Sequence, residues 1–269
     1  MTGGSFSLRD RLWRDDRSAG AIVLRSAREV ELIRDAGRIV ALVLDALAAA
    51  VAPGLTTAEL DALAERMIRA AGAVPTFKGY HGFPASICVS VNDEVVHGIP
   101  GDRRLAAGDI VSCDVGATLG GYIGDGARTF SLSPVPPETK RLLEVTEQSL
   151  QAGIAAAVSG ARVGDISHAV QSVVEAAGFS VVRRFCGHGV GTSMHEEPQV
   201  PNHGPAGHGP RLRPGMVIAI EPMVCAGGYD VRVARNGWTV STVDGSFAAH
   251  FEHTVALVVD GPPRILTLP

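Results

Sequence analysis

Apolar residues recur at helical spacing over residues 26–51, where Val30, Ile33, Ala36, Val40, Val43, Leu44 and Leu47 share one face and Ser26 with Glu29 forms a capping box. A second stripe lies beyond the turn at Pro53 and Gly54. Thr56 with Glu59 repeats the cap, Leu60, Leu63, Ala64, Met67, Ile68 and Ala71 carry the apolar face, and Gly72 supplies the stop. The pattern predicts a helical pair. It returns 106 residues later: residues 160–178 match residues 54–72, with Asp165 at Glu59, Ile166 at Leu60, and Val173 and Val174 at Met67 and Ile68. Amphipathic helices share such spacing by coincidence too, so the helices alone leave an internal duplication open. The segments downstream of each helical region add weight. Short alternating stretches, read as strands, cover residues 87–91, 109–116 and 121–132 in the first half, and 181–185, 215–223, 238–243 and 247–259 in the second. The expected architecture is α/β (α+β), with the strands of both halves in one curved antiparallel sheet, helices on its outer face, and the inner face free for a site. We expect residues 1–25 to be an N-terminal extension and residues 26–269 one domain, with halves near 26–135 and 136–269.

Composition narrows the picture. With 46% hydrophobic and 19% charged residues, the 269-residue chain can bury a substantial core and is not a disordered tail. A net charge of −4 provides no global footprint for nucleic acid or an anionic membrane, so neither DNA nor a membrane is an expected partner. The longest apolar stretch, residues 40–52, is interrupted by Asp45 and is too short for the ~20 residues of a membrane span. The first 25 residues mix Arg and Asp without a hydrophobic centre and do not read as a secretory signal; the expected location is the cytoplasm. Cys88, Cys113, Cys186 and Cys225 are widely spaced, which argues against a zinc ribbon or a disulfide scaffold.

Five polar residues stand in apolar strands or glycine-rich bends. Strand alternation puts Asp114 on one face with Ile110 and Ser112, and Asp125 lies beyond a Gly120-Gly121 turn that would pair the two strands and bring both carboxylates to one side. Taken alone, the two aspartates also fit an ordinary hairpin with solvent-facing side chains. His188 lies in Gly187-His188-Gly189-Val190-Gly191 and by itself also reads as a satisfied core histidine. Glu221 ends an apolar run, and Glu252 stands in Phe251-Glu252-His253-Thr254. Four carboxylates converging in one cavity would repel strongly, and two divalent cations would neutralise them. Oxygen-rich ligation favours Mn, Fe or Co type ions over a thiolate zinc site.

The order and surroundings of these residues resemble the type I methionine aminopeptidases, a peptidase family with a duplicated pita-bread fold. The resemblance runs from about residue 26 to 259 and rests on His97-Gly98-Ile99-Pro100, Gly187 to Val200 with His195-Glu196-Glu197-Pro198, Ile220-Glu221-Pro222-Met223, Asn236-Gly237-Trp238-Thr239 and Glu252-His253-Thr254. It implies a metal-dependent exopeptidase that removes the initiator methionine from nascent proteins when the second residue is small. It implies two divalent ions (Co, Mn, Fe, Ni or Zn type): Asp114 chelating one, His188 and Glu221 on the other, Asp125 and Glu252 bridging both. His97 and His195 would assist catalysis and contact substrate, Glu221 would shuttle a proton, and Tyr80, Phe83, Cys88, Met194 and Trp238 would line a methionine pocket. The implied partners are the N-terminal peptides of nascent proteins and the ribosome surface near the exit tunnel, for a chain acting as a monomer.

Departures from the family pattern are mild. Phe77 and Phe83 stand where a Cys and a Tyr occur, and Ala248 stands where a Ser helps to bind a monovalent cation, which puts such a site near Asn92 in doubt. His203 and His208 are extra histidines in a Pro/Gly-rich loop. Prolidase and aminopeptidase P would share the five ligands but carry an N-terminal domain for which the 25 residues ahead of the first helix leave no room. A metal-free binding module on the same fold would have lost ligands, and all five are intact here.

Overall fold

The computed structural model describes residues 20–269, so the first nineteen positions of the expected extension lie outside the described residues. Helix α1 (Ala27–Ala50) starts at a completed capping box: the Glu29 amide donates to Ser26 Oγ at 3.3 Å and the Ser26 amide to Glu29 Oε2 at 2.8 Å. Helix α2 (Thr57–Ala70) starts the same way at Thr56 and Glu59. Their stripes close on strand β4 (Ile110–Leu119), where Val111, Cys113, Val115 and Ala117 join Val40, Leu44, Leu47, Leu60 and Ile68 in one buried cluster. Helix α1 also crosses strand β5 (Tyr122–Ser131) at backbone contact distance. A Cβ on Gly124 would lie 2.4 Å from the Gly37 nitrogen, and one on Gly37 2.4 Å from the Leu266 carbonyl oxygen, so neither position has space for a side chain.

The second half repeats the layering. Helices α3 (Pro137–Ala156) and α4 (Val163–Ala176) cover the far part of the sheet, with Leu150, Ile154, Ile166 and Val174 packed beside Ile218, Ile220 and Val255. Helix α4 matches α2 in length, 106 residues on. The turns ahead of them match too. Gly54 and Gly160 take φ of 93° and 90°, and Arg104 and Arg211 donate to the carbonyl oxygens of these two glycines, each at 2.8 Å. Sequence patterning assigns no element to residues 137–156, because Pro136, at the N-cap of α3, offers no side-chain cap.

The remaining strands are β1 (Val74–Pro75), β2 (Cys88–Val91), β3 (Glu94–Val96), β6 (Ser180–Val181), β7 (Cys186–Gly189), β8 (Glu196–Pro201), β9 (Val217–Ile220), β10 (Met223–Cys225), β11 (Val231–Val233), β12 (Val240–Thr242), β13 (Ala248–His250), β14 (Glu252–Ala256) and β15 (Arg264–Ile265). Nine of the fifteen strands among the described residues form a sheet in the order β1-β4-β5-β14-β9-β7-β8, with β2 on β4 and β15 on β14. Every pairing in it is antiparallel. Strands before residue 132 and strands after residue 185 meet at the β5–β14 seam. Its backbone register covers only Glu252 opposite Ala127 and His253 opposite Gly126, and threonines complete it. The Thr254 hydroxyl donates to the Asp125 carbonyl at 2.7 Å and accepts from its amide at 3.2 Å, while the Thr129 hydroxyl donates to the His250 carbonyl at 2.8 Å.

The expectation of one sheet needs correction: two small sheets, β13-β10-β6 and β11-β12-β3, stand beside the large one. The expected strand 215–223 breaks into β9 and β10 around Pro222, which has no amide to donate to the ladder, and 247–259 breaks at Phe251 into β13 and β14. In each case the chain passes from one sheet to another, leaving Glu221 and Glu252 at the corners. The expected strand 181–185 is reduced to β6, and β8, polar and proline-containing, has no counterpart among the expected strands. No helix among the described residues is long and apolar enough to cross a membrane.

Candidate metal centre

Gly120 and Gly121, both left-handed with φ of 57° and 86°, form the two-residue turn that a tight hairpin requires. From it, ten residues of β4 pair with ten of β5, setting Asp125 opposite Gly116 and Asp114 two residues away on the same face. Gly116 leaves its place to Phe77, whose ring atom would lie 2.6 Å from a Cβ there. The alternation predicted from sequence thus holds: Cys113 and Val115 point to the helices, Asp114 and Asp125 into the cavity.

The other three residues come from the second half. His188, on β7, has Nδ1 at 2.9 Å from the Gly189 carbonyl. A carbonyl only accepts, so Nδ1 carries the hydrogen and Nε2 turns a lone pair inward. That Nε2 lies 3.5 Å from Glu221 Oε1 and 3.6 Å from Asp125 Oδ2. Donor atoms of Asp125, His188 and Glu252 all lie within 4.8 Å of one another, with all three residues buried. Glu221 joins this group through His188, and Asp114 through the hairpin register. The five side chains expected to meet do line one cavity, of about 440 Å³.

Lone pairs face lone pairs here, and the electrostatics reflect it. Burial, then the neighbouring carboxylates, push Asp114, Glu221 and Glu252 well above the usual carboxylate range. Burial raises Asp125 to about 7 against the lowering effect of a hydrogen bond with Glu252. Burial also lowers His188 to about 4, so the imidazole does not supply the missing positive charge. Asp114 Oδ1, Asp125 Oδ1 and Glu252 Oε1 are buried without a hydrogen-bond partner among the described residues. Unsatisfied buried carboxylate oxygens are costly unless a cation or proton serves them. The donor set therefore fits divalent cations of the oxygen-preferring kind. Cys88 lines the same cavity, but burial first and Asp114 second hold its thiol well above its usual range and disfavour the thiolate.

Above this floor, the expected substrate residues ring the cavity. His97, just after β3, takes a left-handed conformation, φ 59°, with its ring edge-on to Phe185 at 5.8 Å and Trp238 at 6.5 Å. Burial lowers it to about 4. His195 stands 4.3 Å from the His188 ring, and its Nδ1 lies 2.7 Å from the Tyr80 hydroxyl. Enclosure in the cavity, then the His188 imidazole, hold it well below its usual range. Phe83 packs edge-on against Trp238 at 5.0 Å, and Tyr80, Cys88 and Met194 complete the wall.

Sequence reasoning missed four residues of the site. His250 is buried with Nε2 lacking a hydrogen-bond partner among the described residues, 3.9 Å from Glu221 Oε2; its place two residues before Glu252 was the available signal. Phe185 and Arg25 line the cavity, and Glu196 joins them through Arg25 across 171 positions, a separation that no local pattern reveals. Of the doubtful positions, His203 and His208 do not line the cavity, and His208 is exposed with Nδ1 on the Ala206 carbonyl. Near Asn92, the side-chain oxygen accepts from the Ile110 amide and the carbonyl from the Ala248 amide.

Residues 31–258 match the model of metallopeptidase family M24. Methionine aminopeptidase 1 of Bacillus subtilis is 54% identical over 240 residues, 89% of this chain and 97% of that protein. The chain belongs to metallopeptidase family M24 and, within it, to the methionine aminopeptidases. A methionine aminopeptidase structure from Thermotoga maritima superposes with a TM-score of 0.91 at 43% identity, covering 93% of this chain and all of that one. Prolidase from Pyrococcus furiosus, a structure 21% identical, has a TM-score of 0.73 over 92% of this chain and 66% of its own, which shows a shared fold alone. The M24 fold is thus the pita-bread fold expected from the motifs.

Proposed function

We propose that this chain removes the initiator methionine from proteins whose second residue is small, as a metal-dependent exopeptidase. One observation carries the reading: three buried carboxylate oxygens without hydrogen-bond partners among the described residues, from Asp114, Asp125 and Glu252, at the floor of a cavity that also holds His188 and Glu221. Asp114 would hold one divalent ion, His188 and Glu221 a second, and Asp125 and Glu252 would span both. When bound, such ions supply Lewis acidity and make water a competent nucleophile near neutral pH.

The rest falls to the chain's own side chains. Tyr80, Phe83, Cys88, Met194 and Trp238 offer an apolar, polarisable wall to a thioether. In the tautomer that carries its hydrogen on Nε2, His195 accepts the Tyr80 hydroxyl at Nδ1 and would donate from Nε2–H to the substrate carbonyl oxygen as charge develops there. His195 is suited to this as a neutral donor. Glu221, lining the cavity beside His188, would carry the proton from the attacking water to the departing amine. His97, which also lines the cavity, would stand near the amide nitrogen of the scissile bond. Substrates of this kind arise at the ribosome, so we place the chain in the cytoplasm, beside the exit tunnel, as a monomer built from halves 26–135 and 136–269.

The test is metal analysis combined with a peptide panel. Met-Ala-Ser should lose methionine in the presence of Mn or Co, Met-Lys-Ser should not, and a chelator should abolish release reversibly. No release with any divalent ion overturns the reading, and cleavage confined to bonds before proline replaces it with a prolidase.

A further inference from the structure

We propose that Arg25, ahead of the first helix, is a positioning residue for the reaction, acting through Glu196 on the loop that carries His195; this rests on the functional reading above. The Arg25 amide donates to the Gly215 carbonyl at 2.7 Å, which fixes the backbone here. Its side chain is only 6% exposed and gives two hydrogen bonds to Glu196, at 2.5 Å to Oε1 and 2.6 Å to Oε2. Glu196 Oε1 also accepts the amides of Thr192 at 2.9 Å and Ser193 at 3.0 Å. One carboxylate therefore gathers both ends of the loop 192–196, and one guanidinium holds the carboxylate.

Beyond these bonds the loop is held at Gly191, whose carbonyl accepts from the Ile123 amide at 2.8 Å and whose amide donates to the Ser193 carbonyl at 3.3 Å, and at the buried Met194. Thr192 and Ser193 are exposed, and no strand runs through residues 190–195. Gly191, where the loop begins, lies against the guanidinium so closely that a Cβ there would be 2.3 Å from a guanidinium nitrogen. Between these anchors stand Met194, in the cavity wall, and His195, directly bonded to neighbouring Glu196 in the chain and tied to Tyr80 by its Nδ1. Losing Arg25 would leave the Glu196 carboxylate, 13% exposed, without the Nη2 group that serves both its oxygens. A loop displaced by even an ångström would then misplace His195 Nε2 relative to the reacting carbonyl, a shift that costs up to about a hundredfold in rate. Glu29, 3.6 Å from the same guanidinium, lies on α1 and cannot reach the loop amides that Glu196 serves.

A double-mutant cycle distinguishes positioning from general support. kcat on Met-Ala-Ser at saturating Mn is measured for the wild type, Arg25→Ala, His195→Ala and the double variant, with Arg25→Lys replacing Arg25→Ala throughout should the alanine variant fail to fold. The expected result is a loss of about tenfold or more in the wild-type background and less than about twofold in the His195→Ala background, with KM moving less than kcat. Equal losses in both backgrounds, or no loss in either, overturn the proposal while leaving the peptidase reading intact. A wild-type chain that releases no methionine overturns both.

Discussion

Asp114 holds an oxygen that no donor among the described residues serves, at a position where burial already penalises its charge. Asp114→Ala should therefore reduce turnover to background at any metal concentration, while the chelated variant melts no lower than the chelated wild type, because a costly buried carboxylate has been removed. Retained activity at saturating metal would refute its role. The neighbouring shifts also set a pH dependence. In metal-free protein, Asp125 has a folded pKa of about 7 against about 3.9 unfolded. The folded state thus binds more protons across that window, and stability is lost as pH rises through it. His188, at about 4 folded and about 6.5 unfolded, acts in the opposite direction, withdrawing stability as pH falls through its own window. Chelated protein should show a melting temperature that declines from about pH 6 to pH 8 and recovers on addition of a divalent ion, which takes the place of the protons. A flat profile without metal would count against the buried carboxylate cluster.

Elements differ in how openly the chain declares them. Both capped helices, the 106-residue repeat and the Asp114–Asp125 hairpin were legible, because caps, stripes and a Gly-Gly turn are local signals. Helix α3 was not, since Pro136 provides no side-chain cap, and the two expected long strands conceal sheet changes at Pro222 and Phe251 that tertiary packing decides. The five residues expected to hold metal were named through motif resemblance joined to strand alternation, and all five line the cavity, whereas Arg25 and Glu196 meet over too great a separation for either. Packing at the α1–β5 crossing is equally silent in sequence. There, Gly124→Ala would force backbone against backbone at Gly37 and should cost about 1–3 kcal/mol, the usual scale of overpacking, as read from the urea midpoint.

At the scale of the molecule, the seam between β5 and β14 has few backbone pairs and depends on Thr254, which bonds both the amide and the carbonyl of Asp125. Thr254→Val preserves the shape and deletes both bonds. Metal affinity should drop about 10–100-fold, the range seen when groups behind a ligand are removed, and calorimetric titration with Mn would measure it. An unchanged affinity would show that the seam is held by other means. The paired arginines have a different use. Because Arg104 and Arg211 each brace a left-handed glycine ahead of an equal-length helix, a substitution on one side has its experimental control on the other, inside the same molecule. Any difference between the two lesions then reports the surroundings alone, since temperature, solvent and expression are common to both.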